Sequence, residues 1–291
     1  MNYKRRDFLR IGGNFALGIA IAPMACKLMS KEDEEAAKVL KKFGLQLYTL
    51  RDDLPKDPKG VLKQIASFGY KQIEGYEGPQ GLFWGMSNTE FKKYMDDLGM
   101  EFISSHCDIN KDFERKAAEA AAIGMKYLIC PYKGAQKSLD DYKKIADEFN
   151  AKGEICKKNG IRFAYHNHDY TFKQQEGQYP QDVLMNGTDP ALVDYEMDIY
   201  WVVTAGQDPE TWLKKYGKRF TACHVKDRAK NATDAADTCT LGTGIIDYSK
   251  ILKTAKKTGM QYYIVEQEKY AGTTPLQSTK DNAEYMKKLK I

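Results

Sequence analysis

Residues 159–168 read Asn159-Gly160-Ile161-Arg162-Phe163-Ala164-Tyr165-His166-Asn167-His168. A helical pattern over 139–159 runs into a glycine, and a short β-rich run follows at once. Glycine is favoured just past a helix C-terminus because it takes the left-handed conformation without a steric penalty. The run that follows ends in two imidazoles at i and i+2, so both project from the same side of a strand. The same junction recurs at Gly69-Tyr70, Gly99-Met100, Gly124-Met125 and Gly259-Met260. Working outward from 161–168, strand candidates lie at 44–50, 70–76, 101–107, 127–131, 192–198, 220–227 and 261–266. Helical patterns lie between them at 58–67, 88–98, 113–123, 139–159, 209–216, 248–258 and 279–289. Eight strands alternating with helices predict an α/β fold, a single-domain (β/α)8 TIM barrel, rather than an open doubly wound sheet. An open sheet would carry a glycine-rich phosphate loop after its first strand, and Leu45-Gln46-Leu47-Tyr48-Thr49-Leu50-Arg51 is not one.

Strand parity sorts the side chains. Gln46 and Tyr48, Gln72 and Glu74, Ser104 and His106, Glu196 and Asp198, and His224 and Lys226 each share a face. Their alternating neighbours, such as Leu45, Leu47, Ile73, Cys223, Val225 and Val265, are apolar and should pack against helices. All four histidines of the chain, His106, His166, His168 and His224, fall at the C-terminal ends of strand candidates. Asp198 and Glu266 take matching places. The active site of such a barrel lies at the strand C-termini. His166, Asp198, His224 and Glu266 come from four consecutive strands, and they are the candidate ligands of one divalent ion. Imidazoles mixed with carboxylates suit Mn, Zn, Co or Fe better than an oxygen-only Mg or Ca site. Either His166 or His168 could supply the imidazole from its strand. Glu266 could also move a proton, with Lys226, His106 or His168 as the other catalytic groups. Tyr48, Glu74, Trp84 and Lys133 are candidate substrate contacts, and Trp201, like Trp84 and Tyr48, could stack on a sugar face. For each there is a plainer reading: Glu74 pairs with Arg51, Lys133 is a solvated loop lysine, and Trp84, Trp201 and Tyr48 cover the core.

The start of the chain reads as a targeting segment. Lys4-Arg5-Arg6-Asp7-Phe8-Leu9-Arg10 carries a twin-arginine pattern, and an uncharged stretch, 11–26, follows it. A charged segment before a short apolar one is the order of an export signal, too short and glycine-broken for a spanning helix. The alternative is a basic amphipathic N-terminal helix. Pro23-Met24-Ala25-Cys26 resembles a lipobox, which would lipidate Cys26. The expected organisation is a signal at 1–29, a charged linker at 30–42 and the barrel at 43–291. The expected location is therefore periplasmic or membrane-anchored. Removing the first two parts leaves roughly 250 residues, the usual length of one such barrel. A net charge of +5 is no nucleic-acid surface. Cys107, Cys130, Cys156, Cys223 and Cys239 are odd in number and lack a CxxC spacing, so free buried thiols are expected rather than a disulfide framework. The sequence leaves a homo-oligomer open.

At the segments LQLYTLRDD, IEGYEG, SSHCD, AYHNHDYTF, YEMDIYWV, CHVKDR, LGTGIIDY and YIVEQE the chain resembles the xylose-isomerase-like TIM-barrel superfamily, often called sugar phosphate isomerase/epimerase. The resemblance covers the chain from about residue 43 to the end. It implies one divalent ion held by Glu, Asp, His and Glu, of which the last three map onto Asp198, His224 and Glu266. Where the 3-epimerases of that superfamily carry the first glutamate, this chain has His166. The Tyr165-His166-Asn167-His168 segment is closer to its inosose dehydratases. The expected function is a metal-dependent isomerase or epimerase that removes an α-proton from an unphosphorylated keto-sugar or sugar derivative. A lyase expelling a β-substituent from a 3-keto-glycoside or keto-cyclitol is the alternative, and a non-catalytic sugar-binding lipoprotein is a second one. The expected partner is a small carbohydrate, with no nucleic acid and no membrane contact beyond an anchor at Cys26.

Overall fold

The computed structural model describes residues 39–291; the expected export signal at 1–29 and the expected linker at 30–42 up to residue 38 lie outside the described residues. Eight parallel strands close into a barrel: β1 (Gly44–Gln46), β2 (Gln72–Tyr76), β3 (Glu101–His106), β4 (Tyr127–Cys130), β5 (Arg162–His166), β6 (Val193–Asp198), β7 (Phe220–Val225) and β8 (Tyr262–Val265). Each pairs with its neighbours in chain order, and β8 returns to β1 through Gly44↔Ile264 and Leu45↔Val265. The helices are α1 (Pro58–Ser67), α2 (Asn88–Asp97), α3 (Phe113–Ala122), α4 (Leu139–Lys158), α5 (Pro180–Gly187), α6 (Ile199–Thr204), α7 (Pro209–Tyr216), α8 (Tyr248–Thr258) and α9 (Pro275–Lys288).

Local chemistry sets these boundaries. Ser87 and Glu90 form a capping box on α2, and Asp57, Ser138 and Asp247 cap α1, α4 and α8 by accepting backbone N–H groups. Gly124 and Gly160 end their helices at φ 81° and 78°, which a β-carbon would strain. The sequence pattern misses α5 and α6, both shorter than a typical amphipathic repeat, and starts α9 four residues late. The first strand candidate is also cut short: after Gln46 the chain turns into a 3-10 helix over Leu47–Leu50.

Parity divides the interior as the alternation predicts. Leu45, Ile73, Leu128, Phe163, Tyr165, Val193, Met197, Cys223, Val225 and Val265 belong to one apolar cluster with the helices. Tyr127, Ile129 and Ala164 form a separate small cluster, with Tyr262 packed against it. They share the inward face with Gln46, Glu74, His166, Asp198 and His224. At the amino-terminal end of the strands, Arg162 grips Asp194 with Nε and with Nη2 at 2.9 Å, and Lys42 meets Glu101 at 2.7 Å. The five described cysteines are free, four of them buried. Among the described residues no helix is long and apolar enough to cross a membrane.

Candidate active site

The carboxyl ends of β5 to β8, with the end of β3, open on a cavity of about 550 Å³. Its wall includes His106, His166, His168, Lys226, Glu266, Tyr48 and Trp201, all named by the sequence. Asp198 and His224 are fully buried just beneath it. Trp84 does not reach it. That residue is 2 % exposed, packs edge-on against Tyr76 at 4.9 Å and closes over Gly78, where a β-carbon would lie 2.3 Å from its ring. Lys133 turns outward to an ion pair with Glu148 on α4 at 2.6 Å. Glu74 is fully buried inside the barrel, where it accepts hydrogen bonds from Gln46 Nε2 (2.7 Å) and Ser104 Oγ (2.6 Å). Arg51 donates instead to the backbone oxygens of Glu268 and Tyr48, so the Glu74–Arg51 pair does not form.

The backbone around Asp198 is tightly specified. Asn167, buried between the two histidines of its segment, accepts from the Asp198 N–H (3.1 Å) and donates to the Asp198 carbonyl (3.2 Å). Asp198 Oδ1 then caps α6 by accepting from the Trp201 N–H at 3.1 Å. That leaves Oδ2, which is buried and accepts no hydrogen bond although the Lys226 ammonium lies 3.0 Å away. Lys226 donates to Glu266 Oε2 at 2.8 Å and Glu268 Oε1 at 2.7 Å, and its Nζ lies 5.3 Å from the ring centres of Tyr200 and Trp201.

Below this ion cluster lies a second one. Glu196 Oε2 is 2.9 Å from His106 Nε2, 3.0 Å from His166 Nδ1 and 3.3 Å from His224 Nε2. The His224 ring joins the two clusters, with Nε2 2.7 Å from Glu74 Oε1 and Nδ1 3.1 Å from Glu266 Oε2. His106, expected as a proton-transfer group outside the ligand arc, is thus packed into this lower group. Glu196, Glu268 and Asn167 were not singled out by the sequence. The available signal for Glu196 was parity, which puts it on the face of Asp198.

Charges of both signs are buried here. Glu74, Glu196, Asp198 and Glu266 are buried carboxylates, faced by the Lys226 ammonium and by the His224 imidazole, on which burial opposes charge but Glu196 and Glu266 outweigh it and raise its pKa. Burial and the neighbouring Glu74 push Glu196 up to about 7. Burial opposes charge on His106, but Glu74 and Glu196 outweigh it and raise this imidazole to about 9. Burial likewise opposes the ionised forms of Asp198 and Glu266, yet Lys226 and His224 hold both below the usual carboxylate range. Burial pushes His166 well below the ordinary histidine value, and drops His168 to about 4. His168 is therefore neutral; its Nδ1 is buried without a partner, and its ring stacks on Trp201 at 5.3 Å.

Two donor sets, His106/His166/Glu196/His224 and Asp198/His224/Glu266, each gather their ligand atoms within 4.8 Å of one another. Glu196 Oε1 and Asp198 Oδ2 are buried without hydrogen-bond partners. Mixed imidazole and carboxylate donors with spare buried oxygens fit a first-row divalent ion. This buried cluster could hold one.

A family model described as "Xylose isomerase-like TIM barrel" matches residues 62–289. An inosose dehydratase of Bacillus anthracis (strain CDC 684) is 27% identical over 144 residues, 44% of this chain and 48% of that protein. The chain thus spans about half the length of that curated relative. A solved sugar phosphate isomerase/epimerase from Parabacteroides distasonis superposes with a TM-score of 0.72 at 29% identity, over 85% of this chain and 94% of that one. The 3-keto-D-glucoside 4-epimerase of E. coli shares the fold, with a TM-score of 0.64 at 15% identity over 85% of this chain and 99% of its own. With a closed eight-stranded parallel barrel, a polar site at its carboxyl end and a family match over most of the chain, the protein belongs to the xylose isomerase-like TIM barrel family.

Proposed function

We propose that the protein is a divalent-metal-dependent enzyme that removes the proton α to the carbonyl of an unphosphorylated keto-sugar or sugar derivative and so isomerises it. The observation carrying this reading is the hydrogen-bonded Glu266–Lys226 ion pair at the cavity wall, beside buried metal-type donors. The residues that would hold the ion are drawn from His106, His166, Glu196, Asp198, His224 and Glu266. When bound, such an ion supplies Lewis acidity, polarising the carbonyl oxygen and acidifying the neighbouring C–H.

The chain's own groups do the rest. Glu266 takes the proton, and the Lys226 ammonium, fixed by Glu266 and Glu268, offsets the negative charge that develops in the substrate. A carboxylate on one side can return the proton to the adjacent carbon of the same face, which is isomerisation. Tyr48 and Tyr132, 39% and 60% exposed at the cavity wall, offer rings for a sugar face to stack on. The wall holds Glu77, Asp108, Glu266 and Glu268 against Lys111 and Lys226, with no arginine among the lining residues. This balance opposes a phosphate and supports an uncharged substrate.

His168 favours elimination as a second reading. With its pKa near 4 it holds no proton to return from its side of the cavity, so two-sided epimerisation lacks an acid there. Expulsion of a β-hydroxyl or β-alkoxide from the same carbanionic state can use one group twice: Glu266 takes the α-proton and passes it to the leaving oxygen on the same face, so that the C–O bond breaks and water or an alcohol departs. The curated inosose dehydratase relative, matched over part of its length, is in line with that outcome.

Incubation of the metal-loaded protein with a 3-keto-glucoside in D₂O tests both readings. Deuterium incorporation with the leaving group retained marks isomerisation, and a new enone or released aglycone marks elimination. Protein that carries no divalent ion and exchanges no α-proton sinks the proposal. Secretion by the twin-arginine route, with Cys26 lipidated, is a separate proposal on residues outside the described ones. Mass spectrometry of the mature N-terminus from membrane and soluble fractions tests it.

A further inference from the structure

The cavity at the barrel mouth continues past one side of its wall. A second hollow of about 380 Å³ adjoins it and shares Cys107, Asp108, Pro131 and Tyr132 with its lining. The hollow adds Ile109 and Asn110 from the loop after β3, and Lys133 from the loop after β4. In the closed strand order β3 lies across the barrel from β7, and β4 from β8. The hollow is therefore opposite Lys226 and Glu266, which stand at the ends of β7 and β8. A sugar ring with its reacting carbon at Glu266 reaches that far only through a second group joined to it.

Both lips of the hollow are fixed in advance. Glu77, just after β2, accepts from the Asp108 N–H at 2.9 Å and from the buried Lys116 ammonium of α3 at 2.6 Å. Lys116 also donates to the Asp108 carbonyl at 2.9 Å. On the other lip the Tyr170 hydroxyl accepts from the N–H groups of Lys133 (3.2 Å) and Gly134 (3.1 Å). A ligand entering here does not have to order these loops, which lowers the cost of binding. The side chains between the lips are left to the solvent. Asp108 Oδ1 accepts from the Asn110 N–H at 2.8 Å, and the exposed Asp108 and Asn110 side chains keep further acceptor and donor capacity. Tyr132 is 60% exposed, with its ring set perpendicular to those of His168 and Tyr170. An aromatic ring beside an amide and a carboxylate suits a sugar, whose C–H face stacks while its hydroxyls hydrogen-bond. An aryl group would use the ring alone.

We infer that the hollow between the β3 and β4 loops is a second sugar subsite, and that the substrate is a keto-glycoside whose aglycone is itself a sugar. That sugar stacks on Tyr132 and hydrogen-bonds to Asp108 and Asn110. The inference rests on the keto-sugar reading proposed above and names its substrate class.

The test compares methyl, phenyl and glucosyl 3-keto-glucosides, in both anomeric forms, as substrates of the metal-loaded full chain. Turnover is read as α-proton exchange in D₂O or release of an enone. The wild-type kcat/KM should be at least about tenfold higher on a glucosyl compound than on the methyl compound of the same anomeric form, a comparison that needs no variant to fold. Asn110→Ala and Tyr132→Ala should each shrink that preference by about 3–10-fold, mainly through KM. Equal kcat/KM on the methyl and glucosyl compounds overturns the subsite while the keto-sugar reading stands. A phenyl compound favoured as strongly as the glucosyl one, with no effect of Asn110→Ala, overturns the second sugar. Turnover of none of these compounds overturns both the subsite and the reading beneath it.

Discussion

Asp194 and Asp198 are four residues apart on one face of β6, yet they live at opposite ends of the barrel under opposite rules. Asp194 is gripped by two nitrogens of Arg162, beside the apolar plug of Tyr127, Ile129 and Ala164. Asp198 keeps a buried oxygen without a hydrogen bond and shares a single lysine with Glu266 and Glu268. One end is charge-paired and filled. The other leaves that oxygen without a hydrogen bond and opens on a cavity. Buried ionic groups are costly unless fully partnered, so this end marks where the fold gives up stability for chemistry.

That contrast can be broken most directly through activity. Glu266→Gln at the open end should lower α-proton exchange by about 10²–10⁴-fold, whereas Arg162→Gln at the closed end should leave it unchanged, as followed by NMR in D₂O. Equal losses would mean the two ends are not functionally distinct. Stability should respond the other way round. Tyr127→Ala in the plug should cost about 3–5 kcal/mol in urea unfolding, while Tyr132→Ala at the rim should stay within about 0.5 kcal/mol.

The metal-free protein sharpens the point. Glu196 titrates near 7 when folded and near the ordinary 4.5 when unfolded, so the folded state binds the extra proton between those values. Its contribution to stability is therefore lost as pH rises from about 4.5 through about 7. Glu196→Gln should stabilise the metal-free chain above that window by about 1–3 kcal/mol. A destabilisation there would show that Glu196 is a settled structural acid like Asp194. A more local effect is expected at Asp227, whose carboxylate accepts the N–H groups of Gly242, Gly244 and Ile246 and ties the 241–247 loop beside the mouth. Asp227→Ala should cost about 1–2 kcal/mol, with hydrogen exchange quickened in that loop and not at the closed end.

Much of this was legible in the chain. Glycine-ended helices before short strands predict the barrel, and alternation assigns Leu45, Ile73 and Val265 outward and Gln46, Glu74, His166 and His224 inward. What failed had local causes. His168 leaves the strand, because β5 stops at His166 and a 3-10 turn begins at Asp169. Lys133 found a helix carboxylate, Trp84 folded over Gly78, and Glu74 was drawn under the histidines by Gln46 and Ser104.

By itself the sequence determined the class of the fold, the family, the end of the barrel that carries chemistry and the face on which each polar residue lies. Those follow from periodicities of 2 and 3.6 and from chain-local caps. Only the tertiary structure decided which of those inward groups meet. Closing a barrel staggers its strands, so residues at matching strand ends come to lie at different depths. That stagger set Glu196 among three histidines, and brought the Lys226 ammonium to both Asp198 and Glu266, two of the carboxylates that the sequence offers as ligands.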